Sequence, residues 1–472
     1  MKRHLIIIFV TLCPLLSFGQ GIIDLGSKRE IFVDDFLIDK FEGISLQMHT
    51  PRDEGPVLFL DKPWEGAHCA YSTIIKENGI YRFYYRGLPD SYGEYEVTCY
   101  AQSQDGINWE KPNLKIHQYN GSFDNNIILA DAGSVTHNFS PFLDSNPNTL
   151  PDQRYKALGG TAGDGLVAYV SPDGIHWRKL QEDGVIKKGL FDSQNVAFWS
   201  ENEQCYLCYF RIFTGEGYNG IRTVARTTST DFIHWTDPVA MTFGDTPMEH
   251  LYIQQTSPYF RAPHIYLAIG GRFMPERKIV TEEQAQELKV DHMANILGCS
   301  DAFLMSTRGD HRYDRTFMES FIRPDIGINN WIARSNFPAL NVVQTGPAEM
   351  SVYLNQDYAQ PTAHLHRYSL RLDGFASLAA PYKGGEAITK PFTFSGSELE
   401  INYSTSAAGD IRFEMQDTNG KTLEESETII GNEIARSVQW KSGKTLKELI
   451  GKTVRLRIVM KDADLYSIRF VN

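Results

Sequence analysis

Cysteine is scarce, with six in 472 residues. Apart from Cys13, five remain: Cys69, Cys99, Cys205, Cys208 and Cys299, an odd number that implies no disulfide framework. Cys205 and Cys208 have redox-motif spacing, yet Tyr206-Leu-Cys-Tyr-Phe210 reads as a strand, in which positions three apart point to opposite faces, so both read as buried hydrophobes. Runs of Lys and Arg are missing, and 46 basic residues stand against 58 acidic ones, a net charge of −12. Both facts argue against nucleic acid or an anionic membrane as partner. No stretch beyond the N-terminus approaches the roughly 18 apolar residues of a membrane helix. Helix is scarce as well: only Thr281 to Ile296 reads as one, and the remainder alternates Val, Ile, Tyr and Phe with Gly, Asp and Asn clusters in the manner of β-strands.

The N-terminus is different. Met1-Lys-Arg-His4 is basic, Leu5 to Leu16 is apolar, and Gly19 closes the run, the pattern of a secretory signal peptide over residues 1–19. The expectation is an exported protein, periplasmic or extracellular; Thr11-Leu12 and Pro14 around Cys13 fit a lipid-attachment site poorly. The ~450 residues that follow suffice for a large all-β domain and a smaller one.

One phrase returns three times: Ser103-Gln-Asp105-Gly106-Ile-Asn-Trp109, Ser171-Pro-Asp173-Gly174-Ile-His-Trp177 and Ser229-Thr-Asp231-Phe232-Ile-His-Trp235. The starts lie 68 and 58 residues apart, a spacing suited to a four-stranded propeller blade with generous loops. Ser and Asp can bond the amides of a tight turn, Gly accepts φ > 0, and Trp lands on the next strand to pack between blades. The phrase therefore specifies fold, not chemistry. Strand runs around it give five blades, the fifth without a clear last strand, which Glu30–Ile38 is expected to supply. From about Gly384 the clasps stop and short alternating strands suggest a sandwich. The predicted fold is all-β: a five-bladed β-propeller over 20–383 followed by a C-terminal β-sandwich over 384–472.

With its clasps, Tyr81-Arg-Phe-Tyr-Tyr-Arg86, Arg154-Tyr-Lys-Ala-Leu158 and Asp192-Ser-Gln-Asn195-Val-Ala-Phe-Trp199, the chain resembles the five-bladed propeller glycoside hydrolases of families 32 and 43. Phe32-Val-Asp-Asp35, Pro63-Trp-Glu-Gly66, His137-Asn-Phe-Ser-Pro-Phe142, Arg261-Ala-Pro-His264, Leu370-Arg-Leu-Asp-Gly374 and Asp462-Ala-Asp-Leu-Tyr466 are similar to a family 32-like bacterial branch. The Asn-Asp-Pro-Asn-Gly, Arg-Asp-Pro and Glu-Cys signatures of the invertase group are absent, so no catalytic residue transfers by motif, and activity must be argued at the site.

The resemblance implies a secreted glycoside hydrolase of plant or algal polysaccharide, using paired carboxylates where the inner strands begin around the axis. Glu65 and Asp192 are the expected pair, with Glu349 or Glu249 as the acid of raised pKa. His68, His137, Asn138 and Asn195 are placed as sugar-binding residues. Asp34-Asp35 reads rather as a capping pair. Arg86, Arg211 and Arg272 end second strands, and a planar guanidinium suits carboxylate or sulfate, which would admit a uronate-bearing or sulfated glycan; the competing reading is that each ties a blade carboxylate into a buried ion pair. Trp331 is a candidate stacking platform, with Arg323 and Arg334 on the same rim. No cofactor is expected, and no ligand spacing supports a metal. Two other classes stay open: a non-catalytic carbohydrate-binding propeller, and a lyase or transglycosylase. A sialidase is disfavoured for want of an assignable arginine trio with a Tyr-Glu pair.

Overall fold

The computed structural model describes residues 21–90, 95–161, 163 and 165–472; the expected signal peptide lies outside them. Five antiparallel sheets follow one another along the chain. Blade one is Thr73–Glu77, Ile80–Gly87 and Val97–Ser103, with Trp109–Glu110 and Ile127–Leu129 on its outer edge. Blade two runs Ser140–Leu143, Tyr155–Gly159, Val167–Ser171, Arg178–Lys179, and blade three Val196–Ser200, Cys205–Phe213, Arg222–Ser229, Val239–Ala240. In blade four the inner position is split between His250–Ile253 and Thr256–Tyr259, which both pair with Ala262–Met274; Cys299–Thr307 lies outside it. Blade five places Phe337–Pro338 and Val343–Gln344 inside Glu349–Gln356 and His364–Arg371. A parallel bridge from Leu340 to Thr73 brings blade five back against blade one. Strand interiors are buried on both faces, as sheets stacked against sheets require.

The three clasps share one hydrogen-bond pattern. Ser171 Oγ accepts from Gly174 N at 2.9 Å, Asp173 Oδ1 accepts from Ile175 N and His176 N at 2.8 Å, and Trp177 Nε1 donates to Gly174 O at 3.1 Å. Ser103-Asp105 and Ser229-Asp231 repeat these bonds. Each clasp leans on the preceding blade: Trp109 meets Tyr353 edge-on at 5.9 Å, and a Cβ at Gly174 would come within 2.5 Å of Tyr84 Oη. In the third copy Phe232 takes the left-handed backbone, φ 68°, that glycine holds in the others, and its fully buried ring packs on Phe142 and Tyr206. Burial raises the pKa of the clasp aspartates, but the converging hydrogen bonds outweigh it, holding all three below the ordinary range and Asp173 at about 2. A depressed folded-state pKa contributes stability that is complete above the unfolded value near 3.9 and is lost as pH falls through the folded one. Thermal melts should therefore be flat from neutrality down to about pH 5 and fall steeply toward pH 2; Asp173→Asn should start lower at neutral pH and lose less on acidification.

Closure differs from the sequence expectation. The outermost strand of blade five is Arg52–Phe59, paired with His364–Arg371 through two register shifts. Its Gly55 and Pro56 hide it from pattern reading, and an edge strand with bulges is where a sheet tolerates proline. Glu30–Ile38 goes elsewhere: Arg29–Ile31 pairs with Ser467–Arg469, and Ile38–Glu42 with Glu386–Thr389. With Ser45–Met48 on Ala376–Ala380, these strands join a nine-stranded sheet built on the long antiparallel partners Glu398–Gln416 and Arg455–Val471. One core gathers Phe32, Leu37 and Ile44 from before the propeller with Ile401, Phe413, Leu456 and Phe470 from after it. Asp34 and Glu30 ion-pair with Arg308 at 3.0 and 2.8 Å, fastening this module to blade four.

The helix expected over Thr281–Ile296 is shorter. Thr281 and Gln284 form a reciprocal cap for Glu282–Glu287, and a 3₁₀ turn covers Met293–Ile296. Left-handed backbone at Lys289 and His292 separates the two.

Candidate active site

The inner strands begin around an open cleft of about 290 Å³, near the lower size range of small-molecule sites. Its wall comes from all five blades: His68, Tyr71 and Arg86 of blade one, His137 of blade two, Asp192 of blade three, Tyr252 of blade four, and Arg334 and Tyr358 of blade five. The blade-four insertion adds His292, Ala294 and Asn295.

Asp192 precedes its inner strand and keeps 43% of its side chain exposed. Oδ1 accepts from His137 Nε2 at 3.2 Å, and Oδ2 lies 3.3 Å from Arg211 Nη2. The other nitrogen of His137 faces Glu96 Oε1 at 3.0 Å, and Arg86 Nε lies 3.6 Å from the same oxygen. Two carboxylates thus stand one imidazole apart, each backed by an arginine. Burial pushes the His137 pKa down, but the bonds to Asp192 and Glu96 prevail and raise it above its ordinary value. Burial likewise raises Asp192, and His137 with Arg211 overcomes this and holds it below the usual carboxylate range; Glu96 is lowered in the same way by His137 and Arg86. The unit reads carboxylate, imidazolium, carboxylate.

Aromatic rings complete the walls. Arg86 stacks on Tyr71 at 5.1 Å and gives both Nε and Nη2 to His68 O, while Arg211 and Arg222 lie 5.0 and 5.1 Å from the centre of the Tyr252 ring. Burial raises the Tyr252 phenol, and Arg334, Arg211 and Arg222 outweigh it, so its pKa falls below the ordinary value. His68 donates Nε2–H to Asp291 at 2.7 Å, and burial keeps its imidazole low and uncharged.

Of the residues singled out in the sequence, the cleft gathers Asp192, His68, Arg86, His137 and, from the rim, Arg334, with Arg211 behind Asp192. The remainder lie elsewhere. Glu65 is 0% exposed and closed in by Lys111 Nζ at 2.7 Å and Tyr85 Oη at 2.5 Å. Glu349 starts the strand whose far end leads to Tyr358, and it pairs with Arg367. Glu249 bridges Arg272 and Arg315, and Arg272 also forks onto Asp301, so the ion-pair reading holds for that arginine. Asn138 spends its amide on Gly160 O, Phe191 O and Ser193 O, and Asn195 on Phe191 O and Ser193 O; both are buried backbone braces. Trp331 packs onto an apolar cluster with Phe337 and Tyr358. The sequence reading missed Glu96, Tyr71, Tyr252 and Tyr358. Glu96 opens a third strand and Tyr358 follows a second one, away from the inner-strand starts where carboxylates are expected; Tyr71 and Tyr252 lie at such starts but are not carboxylates.

Among the described residues, one group has metal-ligand spacing: Asp53, Asp325 and His366 on blade five, away from the cleft. Its atoms are already hydrogen-bonded, His366 Nε2 to Asp53 at 2.6 Å and Asp325 to Gln356 and Tyr368.

No family model matches the chain. Two uncharacterized proteins of Mycobacterium tuberculosis, from strains CDC 1551 and H37Rv, are each 27% identical to it over 180 residues, 34% of this chain and 51% of theirs. The chain spans about half the length of these curated relatives. Similar solved structures include a family 43 arabinoxylan arabinofuranohydrolase from Bacillus subtilis in complex with cellotetraose (10% identity, TM-score 0.40, 87% of this chain and 97% of that one). A family 32 beta-fructofuranosidase of Bombyx mori matches at 10% identity and TM-score 0.42, over 88% and 94%. An N-acetylgalactosamine deacetylase from F. plautii, in complex with blood group B trisaccharide, matches at 12% and 0.44, over 70% and 96%. The likeness is one of fold. Residue roles in this chain rest on its own cleft.

Proposed function

We propose that the chain is a glycoside hydrolase, exported from the cell, that cleaves a plant or algal oligosaccharide in the axial cleft. The observation that carries this reading is Asp192: an ionised, partly exposed carboxylate held by Arg211 and by an imidazolium that Glu96 locks from behind. Hydrolysis of a glycosidic bond needs a base or nucleophile at the anomeric carbon and an acid at the leaving oxygen. Asp192 supplies the first. Tyr252, on the same cleft and acidified by three guanidiniums, supplies the proton in place of a second carboxylic acid. In the inverting form, Asp192 takes a proton from water as its oxygen bonds to the anomeric carbon, while the Tyr252 hydroxyl proton passes to the departing oxygen. His137 and Glu96 are positioning residues.

The direct test is chromatography of sugars released from a panel of neutral, uronate-bearing and sulfated oligosaccharides, with Asp192→Asn run in parallel. Release by the parent and not by the variant supports a hydrolase at this site. Binding without release from any substrate would instead make the chain a carbohydrate-binding propeller.

The pH dependence gives a further check. Because the His137 pKa is raised, its charge persists below the folded-state value and is lost as pH rises through it. kcat/KM should therefore hold through pH 6.5 and decline above it, at a midpoint higher than ordinary imidazole; His137→Gln should lower the plateau and remove that limb.

A further inference from the structure

Among the described residues, charge around the cleft does not balance. Each described carboxylate there already has cationic or imidazole partners: Asp192 has Arg211 and His137, Glu96 has Arg86 and His137, and Asp291 has His68 at 2.7 Å and His292 at 3.2 Å. Arg222 and Arg334 are left without a carboxylate at ion-pair distance among the described residues. Arg222 is stacked between the rings of Tyr252, Phe213 and Phe273. Arg334 faces the cleft: its Nη1 donates to Asn295 Oδ1 at 3.0 Å and Tyr358 Oη at 3.3 Å, leaving Nε and Nη2 with no side-chain or backbone acceptor among the described residues.

The backbone presents this group at a cost. Arg334 has φ 67°, and two further residues of the cleft wall, Tyr71 at 59° and His292 at 61°, share the left-handed region. Such backbone is unfavourable for a residue that carries a Cβ, and such strain collects at ligand clamps. Behind Tyr252, Arg211 is 3% exposed, with Nε and Nη1 buried and unpartnered. Unpartnered N–H groups on a guanidinium kept from water are expensive, and an oxyanion entering the cleft would give the half-buried Arg334 the acceptor and counter-charge it lacks among the described residues.

We infer that the cleft binds a sugar through an anionic substituent, the carboxylate of a uronic acid, received by the guanidinium of Arg334. This names the substrate class of the hydrolase proposed above and rests on that reading for the cleavage, but not for the binding. Arg334 offers Nε and Nη2 as a fork for two carboxylate oxygens, the arrangement in which arginine exceeds lysine. Arg222 and Arg211 reinforce the positive potential from behind the Tyr252 ring. A sulfate ester presents the same oxyanion chemistry and is separated from a carboxylate by experiment.

The test is calorimetric binding to the full chain carrying Asp192→Asn, so that no ligand is consumed. The ligands are galacturonic and glucuronic acid trisaccharides, their methyl esters, the neutral galactose and glucose trisaccharides, and a 6-O-sulfated galactose trisaccharide. At least one free acid should bind tenfold or more tighter than its methyl ester, with the preference shrinking as salt rises. Arg334→Gln should abolish the preference and Arg334→Lys restore only part of it, both checked by melting temperature. Equal affinity for every acid and ester, or an unchanged preference in a folded Arg334→Gln protein, overturns the inference; the acid-to-ester comparison needs no Arg334 variant and decides even if that variant fails to fold. Preference for the sulfated sugar alone overturns the carboxylate assignment. Acid-selective binding with no sugar released by the Asp192 parent sustains the anion site and removes the hydrolase reading.

Discussion

Asp192→Asn is expected to reduce turnover by a factor of ~10² to 10⁴, the range over which a positioned acid or base contributes, with little change in melting temperature. The substitution keeps the shape and an oxygen that still accepts from His137, but removes the negative charge that both His137 and Arg211 face. Because the side chain is 43% exposed, water can compensate the change in the folded state. Comparable loss of kcat without weaker substrate binding marks a chemical role. Full activity in the variant would exclude Asp192 as the catalytic carboxylate. Tyr252→Phe provides the complement, with a smaller loss and no change in the dependence on Asp192.

Glu65→Ala should do the opposite, destabilising the protein by about 3–5 kcal/mol in chemical denaturation, the cost of removing one partner from a buried ion pair. Glu65 is inaccessible to solvent, and its two oxygens are taken by Lys111 Nζ, Lys62 N and Tyr85 Oη; Asn126 extends the network by donating to Tyr85 Oη at 2.8 Å. Deleting the carboxylate strands the ammonium of Lys111, itself only 10% exposed. Glu65→Gln keeps the volume and an acceptor oxygen and should fall between the two. Where either variant remains folded, catalysis should survive. A catalytic collapse in a stable Glu65→Gln protein would contradict the assignment of Glu65 to the frame.

The fold was legible where local chemistry repeats. Ser171, Asp173 and Trp177 each have a defined job in a turn, and three copies at blade-sized intervals specify a propeller without any long-range information. Closure was not legible, since Gly55 and Pro56 are turn residues by local rules and become a strand only because His364–Arg371 offers an edge. Glu30–Ile38 has the apolar content of a strand but carries no mark of which sheet it joins. The site divides along the same line. Asp192 and His137 were found because inner-strand starts converge on the axis. Glu96 was not, since its relevance comes from a sheet that brings the opening of a third strand beside the opening of blade two. Glu65 was misplaced for the converse reason: it sits at the right distance before an inner strand, and only the packing of Lys111 and Tyr85 shows that its carboxylate turns away.

The pairing of Arg29–Ile31 with Ser467–Arg469 has a consequence for biogenesis. Arg29–Ile31 leaves the ribosome ahead of the whole propeller and its partner only after it, and Arg52–Phe59 must likewise wait for His364–Arg371. The nine-stranded module cannot be completed until Arg455–Val471 has been made, so a nascent chain arrested before Arg455 should carry assembled blades beside exposed strand edges of that module, which recruit chaperones. Cooperative resistance to protease should appear only once Arg455–Val471 has emerged and paired.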